Sequence, residues 1–162
     1  MRIFIVCLIA WFIAQVIKVI INTVKYIIDK KKGRKAKKVT LETLFKLGGM
    51  PSSHTATVIS LAACVGLHSG FHSDVFAVSG VFAFITMFDA LKVRLPISRL
   101  TDAFNRIQAK VCNDDAKDVK KVEGHTIPEI IGGIVVGISV ALFMVKVVGI
   151  YDIEIPFIDW LP

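Results

Sequence analysis

Four long apolar segments limit what this chain of 162 residues can fold into. They cover about residues 3–28, 52–67, 75–93 and 127–148. The composition is 54% hydrophobic and the mean hydropathy is +0.67, which is too apolar for an ordinary soluble domain. A helix needs about 20 apolar residues to cross a hydrocarbon layer. The pattern predicts an all-α fold: one integral membrane bundle of four transmembrane helices with short interfacial helices.

The first segment is too long for a signal-peptide core and lacks a small-residue cleavage pattern, so we expect it to stay as a span. Its polar residues recur at intervals of three and four, which places them on one helix face: Gln15, Lys18, Asn22 and Lys25. Lys25 is near enough to the end to reach the headgroups. Lys18 lies deeper, where a charge is costly. We favour a Lys18 that faces a partner or a watery cavity; the alternative is a side chain that extends (snorkels) to the headgroups.

The second segment begins with Gly-Gly-Met-Pro-Ser-Ser-His, residues 48–54. Proline is tolerated in a first helical turn and serine is a favoured cap, so the motif predicts a helix start. The unsatisfied N–H groups and the positive end of the helix dipole favour an anion such as phosphate there. His54 adds a proton donor. The alternative is a glycine turn, a serine cap and an incidental histidine.

The third segment ends with charged residues. Asp89 is either solvated or neutralises Lys18 or Arg94. The polar stretch that follows contains an apolar row with the spacing of an amphipathic helix lying on the membrane, formed by Leu100, Phe104, Ile107 and Val111. A second short interfacial helix is predicted near residues 39–47.

The fourth segment begins beside His125 and Glu129, which are four residues apart. A carboxylate one helical turn away can accept the ring N–H, fix the tautomer and make the opposite nitrogen a better nucleophile or base. The alternative is a histidine and a glutamate exposed at the interface. Further along, Gly133 and Gly137 have the spacing that lets two membrane helices approach closely.

The remaining features predict no metal and no cofactor. His68 and His72 are four residues apart, but Gly70 argues against a continuous helix and no third ligand is evident. The three cysteines show no paired framework. The net charge is +7, yet the basic residues flank apolar runs with few aromatics, so the expected partner is the anionic bilayer and not nucleic acid.

Basic residues also predict the orientation. Residues 30–38 contain seven Lys or Arg and residues 92–121 contain eight, whereas residues 66–74 and 151–162 contain none. By the positive-inside rule, connectors 29–51 and 94–126 are cytoplasmic. We therefore expect a multi-pass protein of the cell membrane, with both termini outside and the polar residues converging on a site that opens to the cytoplasm.

Three motifs resemble one known family: residues 48–54, Met-Phe-Asp-Ala-Leu-Lys-Val-Arg at 87–94, and Gly-His-Thr-Ile-Pro-Glu at 124–129. Together with residues 15–18 they are similar to the divergent branch of the type-2 phosphatidic acid phosphatases, relatives of the vanadium-dependent haloperoxidases. In that superfamily, Pro-Ser-Gly-His supplies a phosphate-binding Ser and an acid His, and Ser-Arg-x5-His-x3-Asp supplies the nucleophilic His and its carboxylate. The resemblance assigns these roles to Ser52, His54, His125 and Glu129.

The sequence departs from the superfamily pattern in several places. Ser53 replaces the motif glycine, Glu129 replaces the aspartate, and neither the Ser-Arg before His125 nor the Lys-x6-Arg-Pro motif is found. Chemical reasoning makes Lys18 and Arg94 the replacement cations. Because the chain is shorter than six-span members, a homodimer that completes the cavity is an expected arrangement.

The resulting hypothesis is a metal-independent hydrolase of the acid phosphatase type that acts on a lipid phosphate, such as phosphatidate or an isoprenyl phosphate, through a phosphohistidine. Its predicted residues are catalytic His125, His54 and Glu129, phosphate-binding Lys18, Ser52, Ser53 and Arg94, and supporting Gln15 and Asp89. One alternative is a protein that binds or transports a lipid phosphate without hydrolysis. Another is a structural membrane anchor whose motif only determines the fold.

Overall fold

The computed structural model describes residues 2–34, 49–111, 118–120 and 124–149. The helices within these ranges are α1 (Arg2–Lys31), α2 (Ser53–Ser69), α3 (Asp74–Phe88), α4 (Leu95–Val111) and α5 (Ile127–Lys146), with a π-helical turn (Asp89–Arg94) that joins α3 to α4. No strand occurs in the described ranges, so the predicted all-α fold is confirmed. The predicted helix near residues 39–47 lies outside the described residues.

Three stretches of the described chain are long and apolar enough to cross a membrane: α1, the continuous helix Asp74–Val111, and α5. The fourth predicted span, α2, has 17 residues and is about 25 Å long, somewhat shorter than a typical hydrocarbon layer. It packs against α1, α3 and α5 and is therefore the central helix of the bundle. An all-α membrane bundle is confirmed, whereas the crossing by α2 stays a prediction.

Small residues allow the helices to approach closely. A methyl group on Gly133 would lie 2.6 Å from the Ser52 carbonyl oxygen, and one on Gly137 would lie 2.7 Å from the Ala56 carbonyl oxygen. The predicted glycine pair therefore forms the contact between α5 and α2. The main apolar core lies nearby, between α1, α2 and α5, and contains Val6, Ala10, Cys64, Val140, Ala141 and Val145.

The third span differs from its prediction. We expected it to end near Val93 and to be followed by a separate amphipathic helix, but α3 continues through the π-helical turn into α4. Pro96 has no N–H to donate to the preceding turn, which interrupts the regular α-helical hydrogen bonding. A π-helical turn is one way to accommodate such an interruption without ending the helix.

The polar residues collect at one end of the bundle. The Ser52 N–H donates to the Glu129 carbonyl at 2.9 Å, which places the starts of α2 and α5 side by side. The His125 N–H donates to the Ala90 carbonyl at 3.2 Å, which attaches the residues before α5 to the π-helical turn. Since α1 packs against both α2 and α5, four segments supply side chains to this end.

Candidate active site

Lys18 lies inside the bundle and does not snorkel. Its side chain is covered by protein, with 2% of the residue exposed. Gly49, at a φ of +93°, lies over the lysine stem, and a methyl group there would be 3.5 Å from Lys18 Cδ. The left-handed φ favours glycine at this position. A lysine enclosed in this way provides a fixed positive charge at the polar end of the bundle.

Ser52 caps α2, as its motif predicts. Ser52 is fully buried, and its Oγ accepts hydrogen bonds from the Thr55 N–H at 3.3 Å and the Thr55 hydroxyl at 2.9 Å. Ser53 is the first residue of the helix and is also buried. The first N–H groups of a helix have no partner within the helix. They therefore provide hydrogen-bond donors for an anion at this position.

His54 and His125 come together although 70 residues separate them in sequence. Their ring centroids are 6.2 Å apart and the ring planes meet at 77°. His125 is buried, and neither of its ring nitrogens has a hydrogen-bond partner in the described part of the chain. The two imidazoles are thus neighbours, with His54 exposed and His125 buried, and both nitrogens of His125 are available for a ligand.

Burial sets the protonation state of His125, which precedes α5. Loss of water lowers the pKa of its imidazole below the ordinary value, and the nearby Glu129 carboxylate partly opposes this. The positive charges of His54, Lys18 and Arg94 lower that pKa further. His125 is therefore neutral near pH 7, the form in which a ring nitrogen has a lone pair for nucleophilic attack.

Glu129 does not have the predicted contact. Its Oε2 accepts the Thr126 N–H at 2.8 Å and so caps α5, whereas the expected hydrogen bond from the His125 ring is not formed. The expectation assumed that both residues lie on one helix. Because α5 begins at Ile127, His125 precedes the helix and does not share a helical face with Glu129. Glu129 affects His125 through its charge only.

Asp89 pairs with Arg94, one of the two cations that the sequence offered as its partner. Arg94 Nε lies 2.5 Å from Asp89 Oδ2, and both side chains are partly exposed. This pair holds the guanidinium at the end of the π-helical turn. Its partial exposure contrasts with the enclosed Lys18, so the two predicted phosphate-binding cations lie in different environments.

Two positioning residues were not predicted from the sequence. A methyl group on Gly124 would lie 2.3 Å from the Leu95 nitrogen, so only glycine fits between His125 and the π-helical turn. Ala90 supplies the carbonyl that accepts the His125 N–H. The glycine that precedes the histidine in the 124–129 motif was the available signal. Ala90 gave none, because it acts through its backbone.

Gln15, predicted as a supporting residue, lies on α1 three residues before Lys18. It is 6% exposed, and its Oε1 has no hydrogen-bond partner among the described residues. The described ranges contain no group of three or more His, Cys, Asp or Glu side chains that could hold a metal. His68 and His72 are exposed at the opposite end of α2.

The comparison with known families places this geometry in context. A model of the divergent PAP2 family, the divergent relatives of type-2 phosphatidic acid phosphatases, matches residues 1–140. The chain belongs to the divergent PAP2 family. It is 36% identical over 145 residues to the uncharacterized membrane protein YuiD of Bacillus subtilis strain 168, an alignment that covers 81% of this chain and 85% of that relative. No solved structure matches the chain.

The divergent PAP2 match includes every predicted site residue, from Gln15 to Glu129. Within this family member, the structure brings the two histidines, the buried lysine and the start of α2 together at one end of the bundle. The relative is a membrane protein by name, and the described chain has three apolar helices long enough to cross a bilayer. The chain is therefore a multi-pass membrane protein of the divergent PAP2 family.

Proposed function

We propose that this protein is a membrane phosphatase that hydrolyses a lipid phosphate through a phosphohistidine at His125. The observation that carries the proposal is the buried His125 ring, which has neither nitrogen paired among the described residues and lies 6.2 Å from His54. Burying a polar group without a partner is costly. A phosphoryl group supplies both an electrophile and hydrogen-bonding oxygens at this position, and membership of the divergent PAP2 family supports this chemistry.

The positive environment suits a phosphate with two negative charges. Lys18 is enclosed by the bundle, Arg94 lies at the end of the π-helical turn, and the N-terminus of α2 points to the same end. Together they bind the non-bridging oxygens, with Ser52 and the N–H of Ser53 as hydrogen-bond donors. Because Lys18 is enclosed by protein, its charge acts more strongly than it would in solution.

The reaction has two steps. In the first, a His125 nitrogen attacks phosphorus, the P–N bond forms as the ester P–O bond breaks, and protonated His54 gives its proton to the leaving alkoxide. In the second, neutral His54 takes a proton from water, the resulting hydroxide attacks phosphorus, and the P–N bond breaks. Inorganic phosphate leaves, and both histidines return to their starting states.

The test is phosphate release by purified protein from lipid phosphates in mixed micelles, with and without a chelator. His125→Ala should reduce release by about a thousandfold or more, because it removes the nucleophile. Binding of the lipid phosphate should persist, because Lys18 and Arg94 remain. His68→Ala, an exposed histidine at the other end of α2, is the matched control and should keep wild-type activity.

Release that survives His125→Ala would remove the mechanism. Loss of release on chelation would also count against the metal-independent route. If the wild-type protein binds lipid phosphates reproducibly but releases no phosphate from them, the protein is a lipid-phosphate binding or transport protein, which is the second function that this cationic site suits.

A further inference from the structure

Gln15 has a buried amide that the proposed reaction does not use. Only 6% of the residue is exposed, and its Oε1 has no hydrogen-bond partner in the described ranges. A buried amide oxygen normally has a hydrogen-bond partner, because an unpaired one lowers the stability of the fold. An apolar side chain at the same position would avoid this cost. An unpaired acceptor beside a proposed ligand site therefore indicates a ligand group that donates to it.

The packing of α1 against α2 fixes the level of this amide. The Lys18 stem lies against Gly49, near the start of α2, and the Cys7 thiol lies close to the Ser60 side chain, further along α2. The two helices are therefore antiparallel, and this register brings Gln15 to the level of Ser52, the cap of α2. Gln15 is therefore close to the level of the proposed phosphate site.

Gln15 also lies deeper in the bundle than Lys18. The two residues are three apart on one face of α1, which corresponds to about 4.5 Å along the axis. If Lys18 contacts the phosphate, Gln15 is beside the first carbons of the lipid. In a lipid phosphate whose second carbon carries a hydroxyl, that hydroxyl lies a similar distance from phosphorus. An isoprenyl phosphate has only hydrocarbon there and would leave the amide unpaired.

We propose that Gln15 selects the substrate class: it accepts a hydrogen bond from a hydroxyl on the carbon next to the phosphate-bearing carbon, as in a monoacylglycerol phosphate. This inference rests on the proposed function, because it takes the phosphate position from that site. Gln15 is a specificity-determining residue, and isoprenyl phosphates are the disfavoured class. A site that hydrogen-bonds a substrate hydroxyl discriminates against the analogue that lacks it.

The experiment compares 1-oleoylglycerol 3-phosphate with its analogue that lacks the 2-hydroxyl, in the same mixed micelles. For the wild-type protein, kcat/KM for phosphate release should be about tenfold higher for the hydroxyl lipid, the value of one buried hydrogen bond. Gln15→Leu should bring the ratio close to one, chiefly by slowing the hydroxyl lipid. Farnesyl phosphate should behave like the analogue that lacks the hydroxyl.

Asn22→Leu is the matched control. It makes the same amide-to-aliphatic change on the same face of α1, but one turn beyond Lys18 in the opposite direction. The tenfold ratio should persist in this variant. If Gln15→Leu does not give folded protein, Gln15→Met carries the same test, because it is unbranched and also removes the amide.

Binding measurements separate this inference from the proposed hydrolysis. The same two lipids can compete for the His125→Ala protein, with and without the added Gln15→Leu change. One outcome would contradict hydrolysis and support the Gln15 assignment. In that outcome the wild-type protein releases no phosphate, but His125→Ala binds the hydroxyl lipid about tenfold more tightly than the analogue that lacks the hydroxyl. The added Gln15→Leu change would then remove that difference. Equal use or binding of the two lipids by protein with Gln15, or a preference that survives Gln15→Leu, would overturn the assignment.

Discussion

A histidine enclosed by protein loses the water that stabilises its charged form, and His125 is such a residue. Burial lowers its pKa, while the charge of Glu129 partly restores it. The same Glu129 side chain caps α5 through the Thr126 N–H. One residue thus has a structural effect and an electrostatic effect, and a suitable substitution can separate them.

Glu129→Gln should remove the charge while an amide oxygen still caps the helix. Because Glu129 raises the His125 pKa, its neutralisation should lower that pKa further, so that the imidazole takes up its proton at a more acidic pH. An NMR titration of labelled histidine in micelles measures this shift. Asp74→Asn, at the other end of α3, is the control and should leave the His125 titration unchanged. A His125 pKa that stays the same or rises in Glu129→Gln would contradict this electrostatic role.

The site residues differ in how far the sequence could predict them. Lys18, Ser52 and His54 were predictable because each lies within or at the start of a helix whose periodicity and cap are evident. The Glu129 contact was not, because it depends on α5 starting two residues after His125. Ala90 and Gly124 act through backbone atoms of segments that are distant in sequence. Such contacts leave no side-chain pattern to read.

At the scale of helices, the contact between α2 and α5 determines whether the site forms. These two helices begin side by side, and glycines in α5 bring its backbone onto α2. The sequence indicated this contact through its glycine spacing. It did not indicate the continuous helix from α3 to α4, because Pro96 after a charged stretch is also a common place for a helix to start.

Gly137→Ala tests this close approach away from the histidines. The added methyl group would lie 2.7 Å from the Ala56 carbonyl oxygen, so the helices must separate, at a cost of about 1–3 kcal/mol. Gly80→Ala is the matched control, because a methyl group there meets no described atom within 4 Å. Thermal unfolding in detergent should show a clear loss for Gly137→Ala and no loss for Gly80→Ala. Equal behaviour of the two variants would contradict the packing account.

Helix α4 keeps an apolar row that the described bundle does not cover. The exposed side chains of this row are Ile97, Leu100, Phe104, Ile107 and Val111. Arg99, Arg106 and Lys110 follow the same helix at spacings that place them along one flank of the row. An apolar row flanked by basic residues is typical of a helix that lies on a membrane surface with anionic headgroups. The interfacial position of α4 therefore remains a prediction.

For the whole molecule, the orientation decides which compartment the site opens to. Lys18 of α1, the starts of α2 and α5 and the π-helical turn lie together at one end of α2. The two basic connectors leave from that end, and basic residues in short loops favour the cytoplasm. The site is therefore predicted to open to the cytoplasm.

The homodimer also stays a prediction, which the size of the purified protein in detergent can test.

Single cysteines test this orientation on a background without Cys7, Cys64 and Cys112. A cysteine at Ala109, exposed on α4, should resist a membrane-impermeant thiol reagent in intact cells, whereas one at Ser69, exposed at the end of α2, should react. Both should react after the membrane is made permeable, which is the control for accessibility. Labelling of Ala109→Cys alone in intact cells would place the site on the outer face.

The most direct test of the central claim is capture of the phosphohistidine. Purified protein is mixed with a lipid phosphate that carries a radiolabelled phosphoryl group, quenched in alkaline detergent within the first turnover, and digested. We predict that the label is on the peptide that contains His125, that it is removed by brief acid treatment, and that it decays as free phosphate appears. Phosphate release without labelled protein, or a label that persists in His125→Ala, would contradict the account.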